Sequence, residues 1–150
     1  MSLAATFPSI EWFTELVDRA SADSAAMERL GIAELRFGME IVRPDGSAQL
    51  FGLVLDGYDV TAVGPVDEAE LSPDVVMSGP IDAWVEMFDW IEANGPADAL
   101  HSLNGLTIAG VPFVARSSDA MGSDKFYRFM GTLQAIMDAA GAPVAVGAGT

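Results

Sequence analysis

Residues 33 to 43 place Ala33, Leu35, Phe37, Met39 and Ile41 at every second position, with Glu34, Arg36 and Glu40 between them. Side chains alternate across a strand and do not alternate around a helix, so this stretch specifies a β-strand with one dry face and one wet face. Pro44-Asp45-Gly46-Ser47 supplies turn chemistry, and Gln49 to Asp56 resumes the pattern with Phe51, Leu53 and Leu55 on one side. A further turn near Asp56-Gly57 leads to a third strand over Asp59 to Val63, which Gly64-Pro65 stops. An antiparallel meander with one large apolar face follows, and that face needs a cover.

The cover is found on either side of the meander. Ser9 is the expected N-cap of a first helix bearing Trp12, Phe13, Leu16 and Val17, and a short second helix spans Ser24 to Leu30. Asp67 to Ser72 reads as a solvated acidic loop. Asp74 to Ser78 reads as a fourth strand, and Pro80 opens a helix running to Ala93. Its apolar residues form two faces, one with Ile81, Trp84, Val85, Phe88 and Ile91 and one with Met87 and Trp90. A short helical segment over 97–103 and a last strand from Gly105 to Ala115, interrupted by Pro112, complete the sheet.

The final helix is expected over Asp124 to Ala140, capped by Ser123. Phe126, Phe129, Met130, Leu133, Ile136, Met137 and Ala140 recur along one side of it, with Tyr127 beside them. Bulky, flexible side chains at this density either seal a core or line a cavity for a greasy ligand. The expected architecture is α+β: a five-stranded, mostly antiparallel sheet with helices packed on one face, spanning residues 1–141, followed by a flexible tail over 142–150.

Composition narrows the function. A chain of 150 residues that is 51% hydrophobic and 19% charged is sized for one domain with a continuous core. With 22 acidic residues against 7 basic ones and a net charge of −15, it repels phosphate backbones and anionic lipid headgroups. Nucleic acid is therefore not an expected partner. The absence of cysteine removes thiolate and disulfide chemistry. Met1 to Phe7 lacks the features of a signal peptide, and no apolar run reaches the ~20 residues of a membrane span, so a cytoplasmic protein without integral membrane association is expected.

Reactive motifs are scarce. His101 is the only histidine, which is too little for a transition-metal site, and it reads as a surface residue near a helix end. The glycines build neither a dinucleotide fingerprint nor a phosphate loop, and Ser78-Gly79-Pro80 lacks the preceding glycine of a nucleophile elbow. Asp82, Asp89 and Asp138 lie on helices that also carry Trp or Met, so a buried carboxylate acting on a lipid or steroid is an enzymatic alternative, set against the simpler reading that each faces water. Tyr58 and Tyr127 offer hydroxyls to a ligand or to solvent.

Asp74-Val75-Val76-Met77-Ser78-Gly79, a following helix with Trp84, the run Gly105-Leu106-Thr107-Ile108-Ala109-Gly110, and the Phe51-Gly52-Leu53-Val54-Leu55 strand together resemble the lipid-transfer domain of the type-2 sterol carrier proteins. The resemblance covers about residues 8 to 140. It implies a hydrophobic tunnel between sheet and helices that takes fatty acyl chains, sterols or similar molecules, with no cofactor. It assigns the tunnel wall to Phe37, Phe51, Trp84, Phe88, Phe126, Phe129 and Met130, with Met137 farther along the last helix. Tyr127 and Leu133 complete the candidate ligand-binding set. Familiar eukaryotic members of the family tend to be basic, whereas this chain is strongly acidic.

Three functions are thus in view. The first is a non-enzymatic carrier of a hydrophobic small molecule. The second is an interaction module, a homodimer or a partner of an enzyme, that uses its apolar helix faces. The third is an isomerase or lyase with a buried carboxylate.

Overall fold

A computed structural model describes residues 7–22, 24–98, 101–102, 113–117 and 119–141. Helices α1 (Ile10–Ser21) and α2 (Ser24–Leu30) precede strands β1 (Ala33–Val42), β2 (Ala48–Gly57) and β3 (Asp59–Val63). A single helical turn, α3 (Glu68–Leu71), leads to β4 (Val75–Pro80) and directly into α4 (Ile81–Asn94). After β5 (Val114–Arg116) come α5 (Ala120–Arg128), α6 (Met130–Asp138) and a 3-10 turn at Ala139–Gly141.

The sheet is five-stranded in the order β3-β2-β1-β4-β5. β1 is its centre, antiparallel to β2 and parallel to β4, while β2–β3 and β4–β5 are antiparallel. The expected mostly antiparallel α+β architecture is therefore present. The alternation in β1 sets the layering: Phe37 pairs with Leu53 and Val75, and Met39 with Phe51 and Met77, so one row of large side chains crosses three strands on one face. Against this inner face lie Trp12, Phe13 and Leu16 of α1, Trp84, Met87, Phe88 and Ile91 of α4, Phe126 of α5, and Leu133, Ile136 and Met137 of α6, all buried.

Ser9 caps α1 as expected, its hydroxyl accepting from the Trp12 N–H at 3.1 Å. Three expectations need correction. The acidic stretch near residue 70 is the helical turn α3, because Leu71 has a socket on the outer face of the sheet and folds its turn onto it. There Leu71 joins Leu50 and Val76 in a second, smaller apolar cluster. Gly38 and Gly52, paired across β1 and β2, leave the room: a Cβ on Gly52 would stand 2.7 Å from Leu71 Cδ1.

The final helix is also not one piece. Phe129 adopts φ −103° and ψ 15° and separates α5 from α6, ahead of Gly131 and Thr132, both weak helix formers. The cap is Asp119, whose carboxylate accepts from the Gly122 N–H at 2.8 Å, so the helix starts earlier than Ser123 would place it. Finally, β5 as described runs three residues and reaches Arg116. The rest of the strand expected from Gly105, part of the segment expected over 97–103, and the tail over 142–150 lie outside the described residues. Among the described residues, no helix is long and apolar enough to cross a membrane.

Candidate functional site

The candidate wall residues converge on the space between the inner face of the sheet and the helices. Phe37, Phe51, Trp84, Phe88, Phe126, Leu133 and Met137 are buried there, and Phe129 and Met130 pack, partly buried, against the same cluster. Tyr127 is different: it is 60% exposed and meets the layer edge-on at Phe126, with ring centroids 5.3 Å apart.

Each ring is positioned by its element. Phe37 at the centre of β1 stacks on Phe126 of α5, with centroids 5.9 Å apart and planes inclined by 6°. Phe51 of β2 stacks on Phe13 at 4.6 Å. Trp84 enters from the first turn of α4, which begins where β4 ends, and donates its indole N–H to the Glu40 carbonyl of β1 at 3.2 Å. Phe113, just ahead of β5, lies 4.4 Å from Trp84 and over Gly79, where any Cβ would collide with its ring. The Ser78-Gly79 pair at the end of β4 thus has a packing reason: Ser78 faces outward to Glu40 at 2.7 Å, and Gly79 faces inward to admit Phe113.

Sequence reasoning did not count Trp12 and Phe113 among the site residues. Trp12 is 1% exposed and stands edge-on to Phe88 at 4.5 Å. Its indole nitrogen is buried with no hydrogen-bond partner among the described residues, whereas that of Trp84 is satisfied. Such orphans are rare, since a buried donor without an acceptor costs about 1–3 kcal/mol. Burial was legible from the spacing of Trp12 with Phe13, Leu16 and Val17. The missing acceptor was not.

The hydrophobic tunnel itself is not displayed by the described residues, in which the wall rings meet one another at contact distance. The layer does contain Met39, Met77, Met87 and Met137, all at most 1% exposed, and unbranched thioethers accommodate several packings.

The layer is tied down at its ends. Gly122 at the start of α5 abuts the Asp74 carbonyl, where a Cβ has no room, and Lys125 reaches the Asp74 carboxylate at 3.5 Å. Arg19 of α1 bonds to Glu15 at 2.9 Å and donates to the Ala140 carbonyl at 3.0 Å, and Asp138 accepts from the Ala97 N–H at 3.0 Å. Of the carboxylates considered for catalysis, Asp82 and Asp89 are exposed and Asp138 is half-buried in this structural role. The apolar side of the final helix and Met87 are used inside the fold, and Trp90, the other member of the second face of α4, packs half-buried at the edge of the same core. His101 stacks on Trp90 at 4.3 Å with Nδ1 2.7 Å from Asp98, a more enclosed position than a plain surface histidine.

Comparison with solved structures places this architecture. A conserved hypothetical protein from Thermus thermophilus, described as a candidate sterol carrier protein, superposes with a TM-score of 0.56 over 87% of this chain and 85% of its own, at 12% identity. The fold is a sterol-carrier-type fold. Sterol carrier protein 2 from Yarrowia lipolytica in its apo form aligns over 87% of this chain and 90% of its own at 12% identity, with a TM-score of 0.47 that adds no weight. No family model matches the sequence, and no curated protein sequence matches it significantly. The sterol-carrier-type sheet is the level at which the sequence resemblance is met.

Proposed function

We propose that this protein is a non-enzymatic carrier that holds a hydrophobic small molecule, a fatty acyl chain, a sterol or a steroid-like compound, between the inner face of its sheet and its helices. The observation that carries this reading is the orphan N–H of Trp12, a donor at 1% exposure inside an aromatic and methionine layer. A guest with one carbonyl or hydroxyl oxygen supplies the missing acceptor while the rest of its surface leaves water at about 25 cal/mol per Å². The sterol-carrier-type fold supports the same reading.

A permanently empty site of ~300 Å³ would cost about 7 kcal/mol at roughly 24 cal/mol per Å³. That is on the scale of a domain's whole stability of ~5–15 kcal/mol. A carrier of this kind closes its rings on one another and reopens for cargo, and the methionines ease that repacking.

Native mass spectrometry and organic extraction of freshly purified protein should reveal a bound lipid, and fatty acids or sterols should raise the melting temperature. Trp84→Ala and Phe129→Ala should weaken uptake. Trp12→Phe, which keeps a ring and removes the donor, should weaken ligands bearing an oxygen by about fivefold, the worth of one net hydrogen bond, and leave a pure hydrocarbon unaffected. Unchanged melting across a panel of fatty acids and sterols, with nothing extractable, would defeat the proposal.

A further inference from the structure

The outward side of α4 carries a groove that the carrier reading does not use. It is open, about 580 Å³ in volume, and mainly apolar, with Ile81, Val85 and Trp90 half-buried in it. Two rows run along the helix at four-residue spacing, Ile81-Val85-Asp89 and Asp82-Glu86-Trp90. From Asp82 to Trp90 the groove extends about 12 Å at roughly 1.5 Å per residue, somewhat more than two helical turns. The ring of His101, stacked on Trp90, forms one end.

Its charge is one-sided. Asp82, Glu86 and Asp89 are exposed, and among the described residues no cation lies within ion-pair distance of any of them. Six of the chain's seven lysines and arginines are engaged elsewhere: Arg19 with Glu15, Arg36 with the Leu71 carbonyl, Arg43 with Gln49, Arg116 with Glu40 and Glu68, Lys125 with Asp74, and Arg128 with Asp124; the seventh, Arg29, stands in the last turn of α2. A second copy is disfavoured as occupant by charge, since each chain carries −15.

We propose that this groove docks a basic amphipathic helix of a partner protein. Its apolar residues sit over Ile81 and Val85 and against Trp90, and its lysines or arginines face Asp82, Glu86 and Asp89. Apolar anchors at three-and-four spacing in a shallow groove are a standard form of helix recognition, and the opposed charges set orientation and encounter rate. The groove borders the face of Trp84 and Phe88 through Ile81 and Val85, but its charged residues Asp82, Glu86 and Asp89 are exposed and outside the buried layer proposed to hold cargo.

The test uses a fluorescent Leu/Lys helix-forming peptide of about 14 residues, long enough for helix formation on a surface. Anisotropy should report saturable binding that weakens with salt, and amide chemical shifts should move along α4 and at His101. The triple variant Asp82→Asn, Glu86→Gln, Asp89→Asn should bind roughly tenfold or more weakly. Its melting temperature and fatty-acid uptake should be those of the parent, which separates failure here from failure of the carrier reading. A Lys/Ser peptide of the same charge should not bind. Equal binding by the Lys/Ser peptide, an unaffected triple variant, or shifts centred away from α4 would overturn the proposal. So would displacement of the peptide by monomeric dodecyltrimethylammonium at lower concentration than the peptide itself, which would make the groove a small-cation site.

Discussion

The two faces of the sheet bury apolar surface by different means. The inner face is built on volume: Phe37, Met39, Phe51, Leu53 and Met77 oppose rings and thioethers from four helices, and nearly all are inaccessible to water. The outer face is built on fit. Two paired glycines make a socket, one leucine from a single helical turn fills it, and Arg116 spans Glu40 and Glu68 beside it at 3.3 and 2.6 Å. The comparison teaches that a broad aromatic layer tolerates rearrangement, because many side chains share the load. A socket with one occupant does not.

The largest stability effect is expected at the centre of the broad layer. Phe37→Ala removes a ring at 0% exposure and should destabilise the fold by about 4 kcal/mol in chemical denaturation. A loss no greater than that of a surface substitution would break the contrast between the faces. On the outer side, Leu71→Ala should cost about 2 kcal/mol. Gly52→Ala should cost about 1 kcal/mol in the parent through collision with Leu71 and a tight contact with Val63, and most of that cost should disappear when Leu71 is already Ala. Additive behaviour in that cycle would show that the socket is not specific.

The ion pairs should matter less. Glu40→Gln should lower stability by about 0.5 kcal/mol at low salt, an effect that fades as salt is raised, because Arg116 is 43% exposed. The smallest effect belongs to neither face. In the hairpin turn, hydrogen bonds from the Ser47 hydroxyl and backbone N–H hold the Asp45 carboxyl below the usual aspartate range. A folded-state value below the unfolded one makes its contribution present above the unfolded value and lost as pH falls through the folded one. Carbon-detected titration of Asp45 should therefore have a midpoint below that of a free aspartate, and Ser47→Ala should move it upward.

Much of the inner face was legible in the sequence because it rests on repetition. Every second residue of β1 and β2 and every third or fourth of α1 repeats the same preference, and the correct sheet and helix layer follow. The outer socket was not legible, since its signal is two glycines far apart in the chain that become neighbours only once the β1–β2 register is fixed. Ser123 was read as the cap of the final helix, whereas the Asp119 carboxylate accepts from the Gly122 N–H and starts it earlier. The wall residues of the candidate site were read as a group from the family resemblance and the stripe on the last helix. Trp12 joins them for a reason no pattern encodes, the absence of an acceptor around its nitrogen among the described residues.

The interruption at Phe129 has a mechanical result. α5 is moored to the start of β4 through Gly122 and Lys125, while α6 and the turn after it are moored to α1 and the segment after α4 through Arg19 and Asp138. Two rods fixed to separate foundations and joined at one residue form a joint, so any widening of the layer concentrates its torsion on the φ and ψ of Phe129.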